Sequence, residues 1–186
     1  GLDRTHFLLV GVHLQLPGMR LITSDLTGEV HDEEKIFDRV VPAPNEAVLA
    51  ATDYVTRMRA AFPEKVILGM GIASPGFTDL TTGDIISIGR VPSWENFPIC
   101  RRVQAVLELP VQSANDVDCM AFAEFLNASE MLEENLAYVG YDEGVKISLF
   151  HKGKLYKGSL GNAGLIASHL LHVGDGYDSQ DVHSLL

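Results

Sequence analysis

The chain begins with three extended segments that are separated by two tight turns. Residues 7–14 and 19–26 are apolar runs on either side of Pro17-Gly18, and Thr27-Gly28 precedes a third extended stretch that reaches Val41. Glycine-containing pairs of this kind favour turns, and extended segments joined by short turns pair with one another. The pattern predicts an antiparallel meander, so the chain must fold around a β-sheet that starts at its first strand.

Helices and further strands follow the meander. Apolar residues recur at helical spacing from Val48 to Phe62, which predicts a helix that Asn45 caps and Pro63 ends. The elements predicted next are a strand over 65–73, a helix marked by Ile99, Val103 and Val106, a strand over 109–112, and a helix that begins at Asn115-Asp116 and carries Met120, Phe122, Ala123 and Leu126 on its apolar side. This alternation is typical of an α/β protein.

A second sheet is predicted later in the chain. Strands over 136–141 and 145–150 flank Asp142-Glu143-Gly144, and Lys152-Gly153 turns the chain into an extended segment over 154–157. The order of elements therefore predicts a sheet with helices, followed by the beginning of another sheet.

Composition and charge limit the partners that the chain can have. The 186 residues are 46% apolar, and 14 basic against 25 acidic residues give a net charge of −11. An acidic surface repels a phosphate backbone, so we expect no nucleic-acid binding by this segment itself. No apolar run approaches the roughly 20 residues that span a bilayer, and no leader precedes Gly1, so we expect no membrane contact and a cytoplasmic location. Cys100 and Cys119 lack metal or disulfide spacing and are expected to be buried.

Two polar segments that follow predicted strands are candidates for a binding site. The Asp116 carboxylate can accept hydrogen bonds from two hydroxyls while the neighbouring Asn115 amide donates to a third. The same pair can instead cap a helix by satisfying its first backbone N–H groups. The segment Ser74-Pro75-Gly76 is either an ordinary turn or a loop whose glycine lets a ligand approach the backbone. Spacing alone leaves these alternatives open.

Several short blocks, taken in order, carry a resemblance to a known family. They are Gly71-Ile72-Ala73-Ser74-Pro75-Gly76 with Thr82-Gly83, Trp94-Glu95-Asn96-Phe97-Pro98, Leu109-Pro110-Val111 before Asn115-Asp116, residues 121–124, Gly153-Lys154-Leu155-Tyr156-Lys157-Gly158, and Asn162-Ala163-Gly164. In these blocks the chain resembles the ROK family, whose name joins repressors, open reading frames and sugar kinases. The resemblance implies an α/β, actin-like ATPase (ribonuclease H-like) fold, with a first lobe over 1–128 and the beginning of a second lobe over 129–186.

The resemblance also implies a sugar-binding site. It places Asn115 and Asp116 against the sugar, and in the family's kinases the aspartate takes a proton from the phosphate-accepting hydroxyl. It places Ser74 and Gly76 in a loop on the sugar side and Asn96 in a loop that covers the sugar cleft.

Both phosphate-holding turns of the family's kinases are replaced in this chain. The kinases have Asp-x-Gly-Gly-Thr after the first strand, whereas this chain has His13-Leu14-Gln15-Leu16-Pro17, which lacks the acid and the glycines and has no N–H at its proline. His13 is either a ligand contact or a structural residue at a strand end. The kinases' second turn, Gly-Thr-Gly, corresponds to Asp142-Glu143-Gly144, whose carboxylates oppose a triphosphate. We therefore expect no catalytic residue and no cofactor.

The segment that binds sugar and zinc in the family also differs. Glu-Ile-Gly-His of the family corresponds to Leu165-Ile166-Ala167-Ser168-His169, so an apolar residue replaces the acid and the histidine is displaced by one position. The cysteine-rich zinc segment is absent, and His169, His172 and His183 lack the spacing of a zinc site, so no metal is expected.

These features predict the sugar-binding regulatory domain of a repressor that resembles the N-acetylglucosamine- and xylose-type members of the ROK family. The implied partners are a sugar or sugar derivative, a second copy in a homodimer, and operator DNA bound through a helix-turn-helix upstream of Gly1. Two alternatives stay open. One is an ATP-dependent sugar kinase with Asp116 as base, and the other is a domain used only for oligomerisation, which Leu165 favours.

Overall fold

The computed structural model describes residues 3–79, 81–89, 91–127, 135–141, 145–159 and 161–166, and the backbone of 171–173 and 176–178. The chain divides into two compact units, Gly1–Asp116 and Val117–Leu186. The division falls at the beginning of a helix, whereas the sequence places the end of the first lobe at residue 128, just beyond the same helix.

The first unit contains the predicted meander and the strands and helices that follow it. Its described elements are β1 (Phe7–Leu14), β2 (Met19–Asp25), β3 (Val30–Ile36), α1 (Pro44–Ala61), β4 (Val66–Ser74), β5 (Phe77–Thr78), β6 (Ile85–Ser87), a 3-10 turn (Pro92–Trp94), α2 (Ile99–Leu107), β7 (Val111–Asn115) and the first residue of α3 (Asp116–Asn127). The main sheet has the order β3-β2-β1-β4-β7, and β5 pairs with β6. β1, β2 and β3 are antiparallel, which confirms the meander, while β1, β4 and β7 are parallel.

One face of this sheet and two helices enclose the core. Alternate residues of β1 from Leu8 to Leu14 are buried, as the two-residue period of a strand requires. Tyr54 of α1 and Val103 of α2 are fully buried in the same core. The Thr23 hydroxyl donates to the Tyr54 oxygen at 3.1 Å, and burial raises the pKa of Tyr54 to about 12.

The start of α1 differs from the prediction. The helix begins at Pro44 and is preceded by Ala43, so Asn45 lies inside the first turn and is not the cap. Proline suits this position because the first helical N–H has no partner within the helix. The Glu46 carboxylate accepts a hydrogen bond from the Ala43 N–H at 3.0 Å and stabilises the start of the helix.

Two strand boundaries also differ. The third extended stretch ends at Ile36 rather than Val41, since Phe37 adopts a left-handed backbone with a φ of 54°. The strand expected over 109–112 begins at Val111, because Pro110 has no N–H for a ladder. The Pro110 carbonyl nevertheless accepts from the Met70 N–H at 2.9 Å and aligns the two parallel strands.

One of the two cysteines is less buried than the sequence predicts. Cys100 is buried, and burial raises the pKa of its thiol, whereas Cys119 is only half-buried. Val106, which helped to predict α2, lies on the solvent side of that helix.

Within the described part of the chain, no helix has the length and apolar character needed to cross a membrane.

The second unit contains most of α3 and a small antiparallel sheet. Its described strands are β8 (Leu136–Tyr141), β9 (Val145–His151) and β10 (Lys154–Leu155) in the order β10-β9-β8, with a separate hairpin of β11 (Leu171–Val173) and β12 (Gly176–Asp178). α3 packs on β9 through Phe125, whose ring stacks on Phe150 with centroids 4.5 Å apart. On the apolar side predicted for α3, Met120, Phe122 and Leu126 are exposed.

Candidate functional site

Three parallel strands end at one edge of the main sheet in the first unit. His13 lies near the end of β1, Ser74 ends β4, and Asn115 ends β7. In the strand register His13 is opposite Ala73, and Ser74 is opposite Asn115. Open α/β sheets bind ligands at the carboxyl ends of their parallel strands, so this edge is the candidate site.

Asp116 begins α3 directly beyond β7 and is partly open to solvent. Its Oδ2 lies 3.8 Å from Nε2 of His13, and the two side chains are 19% and 33% exposed. His13, which replaces the acid of the kinases' first phosphate turn, therefore lies beside Asp116. Asp116 is the residue that the resemblance places against a sugar. The structure thus brings His13, for which the sequence leaves a ligand contact and a structural role open, to the candidate site.

Asn115 is almost completely buried and connects β7 to the loop after β4. Its side-chain Nδ2 donates a hydrogen bond to the carbonyl of Gly76 at 3.0 Å. The amide thus holds the Ser74-Pro75-Gly76 loop beside the end of β7, which is a structural contribution to the site.

Contacts of Ser74 and Gly76 with the backbone hold this loop in place. Ser74 is fully buried, and its hydroxyl donates to the Pro75 carbonyl at 3.0 Å. Gly76 has a φ of +82°, and a Cβ at this position would lie 2.2 Å from the Ser87 carbonyl oxygen of β6. The glycine is therefore required by the close approach of another strand, which is a different reason from the ligand contact that the sequence suggested.

Asn96 lies apart from these residues in the hydrogen-bond network. It follows the 3-10 turn, is exposed, has a φ of 51°, and donates its backbone N–H to the Ile86 carbonyl at 2.9 Å. Trp94 anchors this loop, since its buried indole N–H donates to the Pro42 carbonyl at 3.0 Å. In the part of the chain that the structure describes, no hydrogen bond joins the Asn96 side chain to His13 or Asp116.

The turn between β1 and β2 offers few donors to a phosphate. The Gln15 N–H donates to the Gly18 carbonyl at 3.0 Å, and the Gly18 N–H donates to the Val40 carbonyl at 3.2 Å. Pro17 has no N–H, and the Leu16 side chain packs toward the core. Phosphate cradles are built from several N–H groups that point at the ligand, and two of the three N–H groups of this turn are already bonded to backbone carbonyls.

The second phosphate turn, Asp142-Glu143-Gly144, lies outside the described residues, but the strand that follows it is described. Lys146 and Ser148 of β9 both contact Asp118 of α3: Lys146 Nζ lies 2.6 Å from Oδ2, and the Ser148 hydroxyl donates to Oδ1 at 2.5 Å. Lys146 is 3% exposed, so this is a buried ion pair. Sequence reasoning missed it, although two polar residues alternating on one side of a strand were a signal.

The structure gives no separate support for a metal. Among the described residues, no group of three or more His, Cys, Asp or Glu side chains is arranged to hold an ion. His169 and His183 lie outside the described residues, and the side chain of His172 is also outside them. Leu165, which replaces the family's acid, is half-buried and forms a β-bridge with Lys146.

Solved structures share the fold of this chain. A ROK family transcriptional regulator, a homolog of the E. coli MLC protein, has a TM-score of 0.76 at 17% identity over 90% of this chain and 42% of that chain. A ROK family glucokinase from Streptomyces griseus in complex with glucose and AMPPNP has a TM-score of 0.70 at 19% identity over 87% of this chain and 50% of that chain. The chain therefore has the α/β, actin-like ATPase fold, which confirms the predicted fold class.

The sequence comparison identifies the family. The ROK family pattern matches residues 10–174, and the chain belongs to the ROK family. The xylose repressor of Caldicellulosiruptor bescii is 24% identical over 169 residues, which are 90% of this chain and 42% of the repressor. The chain thus spans less than half the length of that relative.

Proposed function

We propose that this chain is the sugar-binding regulatory domain of a ROK-type transcriptional repressor and that it transfers no phosphoryl group. The observation that carries the proposal is the turn between β1 and β2. Of its four residues, Gln15 and Gly18 donate their N–H groups to backbone carbonyls and Pro17 has none, which leaves only the Leu16 N–H and argues against the cradle on which phosphoryl transfer depends.

The sugar side of the site supports ligand binding without catalysis. In this proposal Asp116 accepts hydrogen bonds from sugar hydroxyls, and Asn115 keeps the loop of Ser74 and Gly76 in place behind it. Asn96 belongs to a loop that covers the ligand. D-Xylose is the first candidate, because the xylose repressor relative matches nearly the whole of this chain.

Regulation requires that the sugar bind one conformation better than another. The net charge of −11 argues against operator contacts by these residues, so the proposal assigns DNA binding to a helix-turn-helix outside them. A homodimer would then link the sugar sites to the spacing of two operator half-sites.

Thermal unfolding with D-xylose, D-glucose and other sugars, each with and without Mg-ATP, tests the proposal. A bound sugar at 100 times its Kd stabilises the chain by about 2.7 kcal/mol, and Mg-ATP is expected to add nothing. Asp116→Ala should remove the sugar response, whereas Asp53→Ala, a matched change at an exposed position of α1, should preserve it.

Each alternative gives a different result. Formation of ADP in the presence of a sugar would replace the proposal with a kinase that uses the retained Asp116 as base. No stabilisation by any sugar would favour a domain used only for oligomerisation.

A further inference from the structure

Nε2 of His13 and Oδ2 of Asp116 are close enough for one oxygen atom, placed beside the line that joins them, to form hydrogen bonds with both. The 3.8 Å between Nε2 and Oδ2 exceeds a direct hydrogen bond. A single oxygen atom about 2.8 Å from both atoms fits this separation, since that is the usual length of a hydrogen bond to oxygen. Both side chains are partly exposed, so such an oxygen can reach them from solvent.

The two groups are chemically complementary. An imidazole N–H donates a hydrogen bond, and a carboxylate accepts one. A hydroxyl can do both at once, because it donates to the carboxylate while its oxygen accepts from the imidazole. With the proton on Nε2, an ether oxygen can satisfy only the imidazole and an ammonium only the carboxylate, whereas a hydroxyl satisfies both.

The neighbours of His13 leave its ring available for this role. Val12 and Leu14 point into the core, so His13 lies on the opposite side of β1. Across the sheet it is opposite the small Ala73 on β4 and Arg20 on β2. The Arg20 Nε donates to Glu33 at 2.7 Å, so its guanidinium is already paired with a carboxylate.

We propose that His13 contacts the sugar and donates a hydrogen bond to the same hydroxyl that donates to Asp116. This inference rests on the proposed function and adds a specificity-determining residue to it. In the kinase pattern that the chain resembles, an acid occupies this position. Replacing it with His13 exchanges a group that binds Mg²⁺ for one that binds a neutral hydroxyl.

Calorimetric titration of the chain with D-xylose and D-glucose tests the role of His13. His13→Ala should lower the affinity for the sugar that the wild type binds by about tenfold, which is the usual effect of losing one hydrogen bond to a ligand. His13→Gln keeps an N–H donor and should weaken binding by less than His13→Ala. His6→Ala, at the exposed beginning of β1, is the matched control and should bind like the wild type.

Monodeoxy analogues of the bound sugar separate a ligand contact from a structural effect. For the analogue that lacks the bridging hydroxyl, the wild type and His13→Ala should bind equally, while every other analogue should keep the tenfold difference. A difference that is the same for every analogue, or no difference for the parent sugar, would overturn the role of His13. If Asp116→Ala abolishes binding and His13→Ala does not weaken it, the proposed function stands and the role of His13 is overturned. If the wild type binds no sugar of the panel, both are overturned.

Discussion

The side-chain amide of Asn115 donates a hydrogen bond to the carbonyl of Gly76 at 3.0 Å. Asn115 is also opposite Ser74 in the parallel ladder of β4 and β7. One residue therefore fixes both the end of a strand and the loop that follows its neighbour. The loop is positioned by a contact between segments far apart in the chain, and its geometry depends on a side chain that can donate.

Replacing Asn115 with aspartate tests this dependence. A carboxylate has no N–H to donate, so Asn115→Asp would bury a negative charge against the Gly76 carbonyl. We expect a loss of about 2 kcal/mol in the free energy of unfolding together with weaker sugar binding. Urea unfolding and calorimetry measure the two effects. Gln112→Glu, the same change at an exposed position of β7, should alter neither, and equal behaviour of the two variants would refute the role of the amide.

Gly76→Ala tests the close approach of β6. The added Cβ would meet the Ser87 carbonyl oxygen at 2.2 Å, and the φ of +82° is unfavourable for alanine. Gly28 provides a control, because its φ is +92° and nothing lies within 4 Å of an added Cβ. We expect urea unfolding to show a loss of about 1 kcal/mol for Gly28→Ala and at least about 3 kcal/mol for Gly76→Ala. Similar losses would mean that backbone strain alone explains the glycine.

Local patterns in the sequence predict most of the fold. The meander follows from alternation and turn residues, because neighbouring strands pair when short turns join them. The cap at Ala43 and the end of β3 at Phe37 could not be predicted, because the first depends on the Glu46 side chain and the second on an unusual backbone angle. The exposed apolar side of α3 is also outside such patterns, since helical spacing does not say what covers a face.

The candidate site could be predicted only in part. Asn115 and Asp116 are adjacent in the sequence, and their place at a strand end is evident from it. The approach of His13 to Asp116 depends on β1 and β7 ending at the same edge, which is a property of the sheet order. The burial of Ser74 at the end of β4 likewise results from packing, because serine is a residue type that is mostly exposed.

Loss of the buried ion pair of Lys146 and Asp118 should strongly lower the stability of the second unit. Lys146→Met would remove the ammonium that lies 2.6 Å from Asp118, and removing one partner of a buried pair costs roughly 3 kcal/mol. We expect the amide hydrogens of β9 to exchange about a hundredfold faster in this variant, provided that they exchange through opening of the unit. Lys154→Met, at an exposed position of β10, is the matched control and should leave exchange unchanged.

A second substitution tests whether the charge of Asp118 causes the loss of stability in Lys146→Met. Asp118→Asn in the Lys146→Met background removes the negative charge that faced Lys146 while keeping an oxygen that can accept from the Ser148 hydroxyl. The double variant should therefore recover part of the protection of β9. If the two substitutions instead lower the protection of β9 additively, the ion pair contributes through packing and not through charge.

Asp25 provides a pH-dependent contribution to the stability of the first unit. This buried carboxylate accepts from the Thr27 hydroxyl at 2.5 Å and from the Thr27 and Glu29 N–H groups, and it lies 3.1 Å from Nε2 of His31. These hydrogen bonds, the one from the Thr27 hydroxyl above all, hold the pKa of Asp25 well below its usual range, although burial acts in the opposite direction.

The sign of the pH effect follows from this lowered pKa. The unfolded chain takes up a proton at Asp25 near pH 3.9, before the folded chain does, so the stabilisation is complete above that pH and is lost as the pH falls toward the folded pKa. Urea unfolding should show that wild type exceeds Asp25→Asn in stability by a constant amount near neutral pH and by a shrinking amount below about pH 4. Asp53→Asn, on the exposed side of α1, should differ little from wild type throughout. A pH-independent difference for Asp25→Asn would mean that shape, and not ionisation, accounts for the contribution of Asp25.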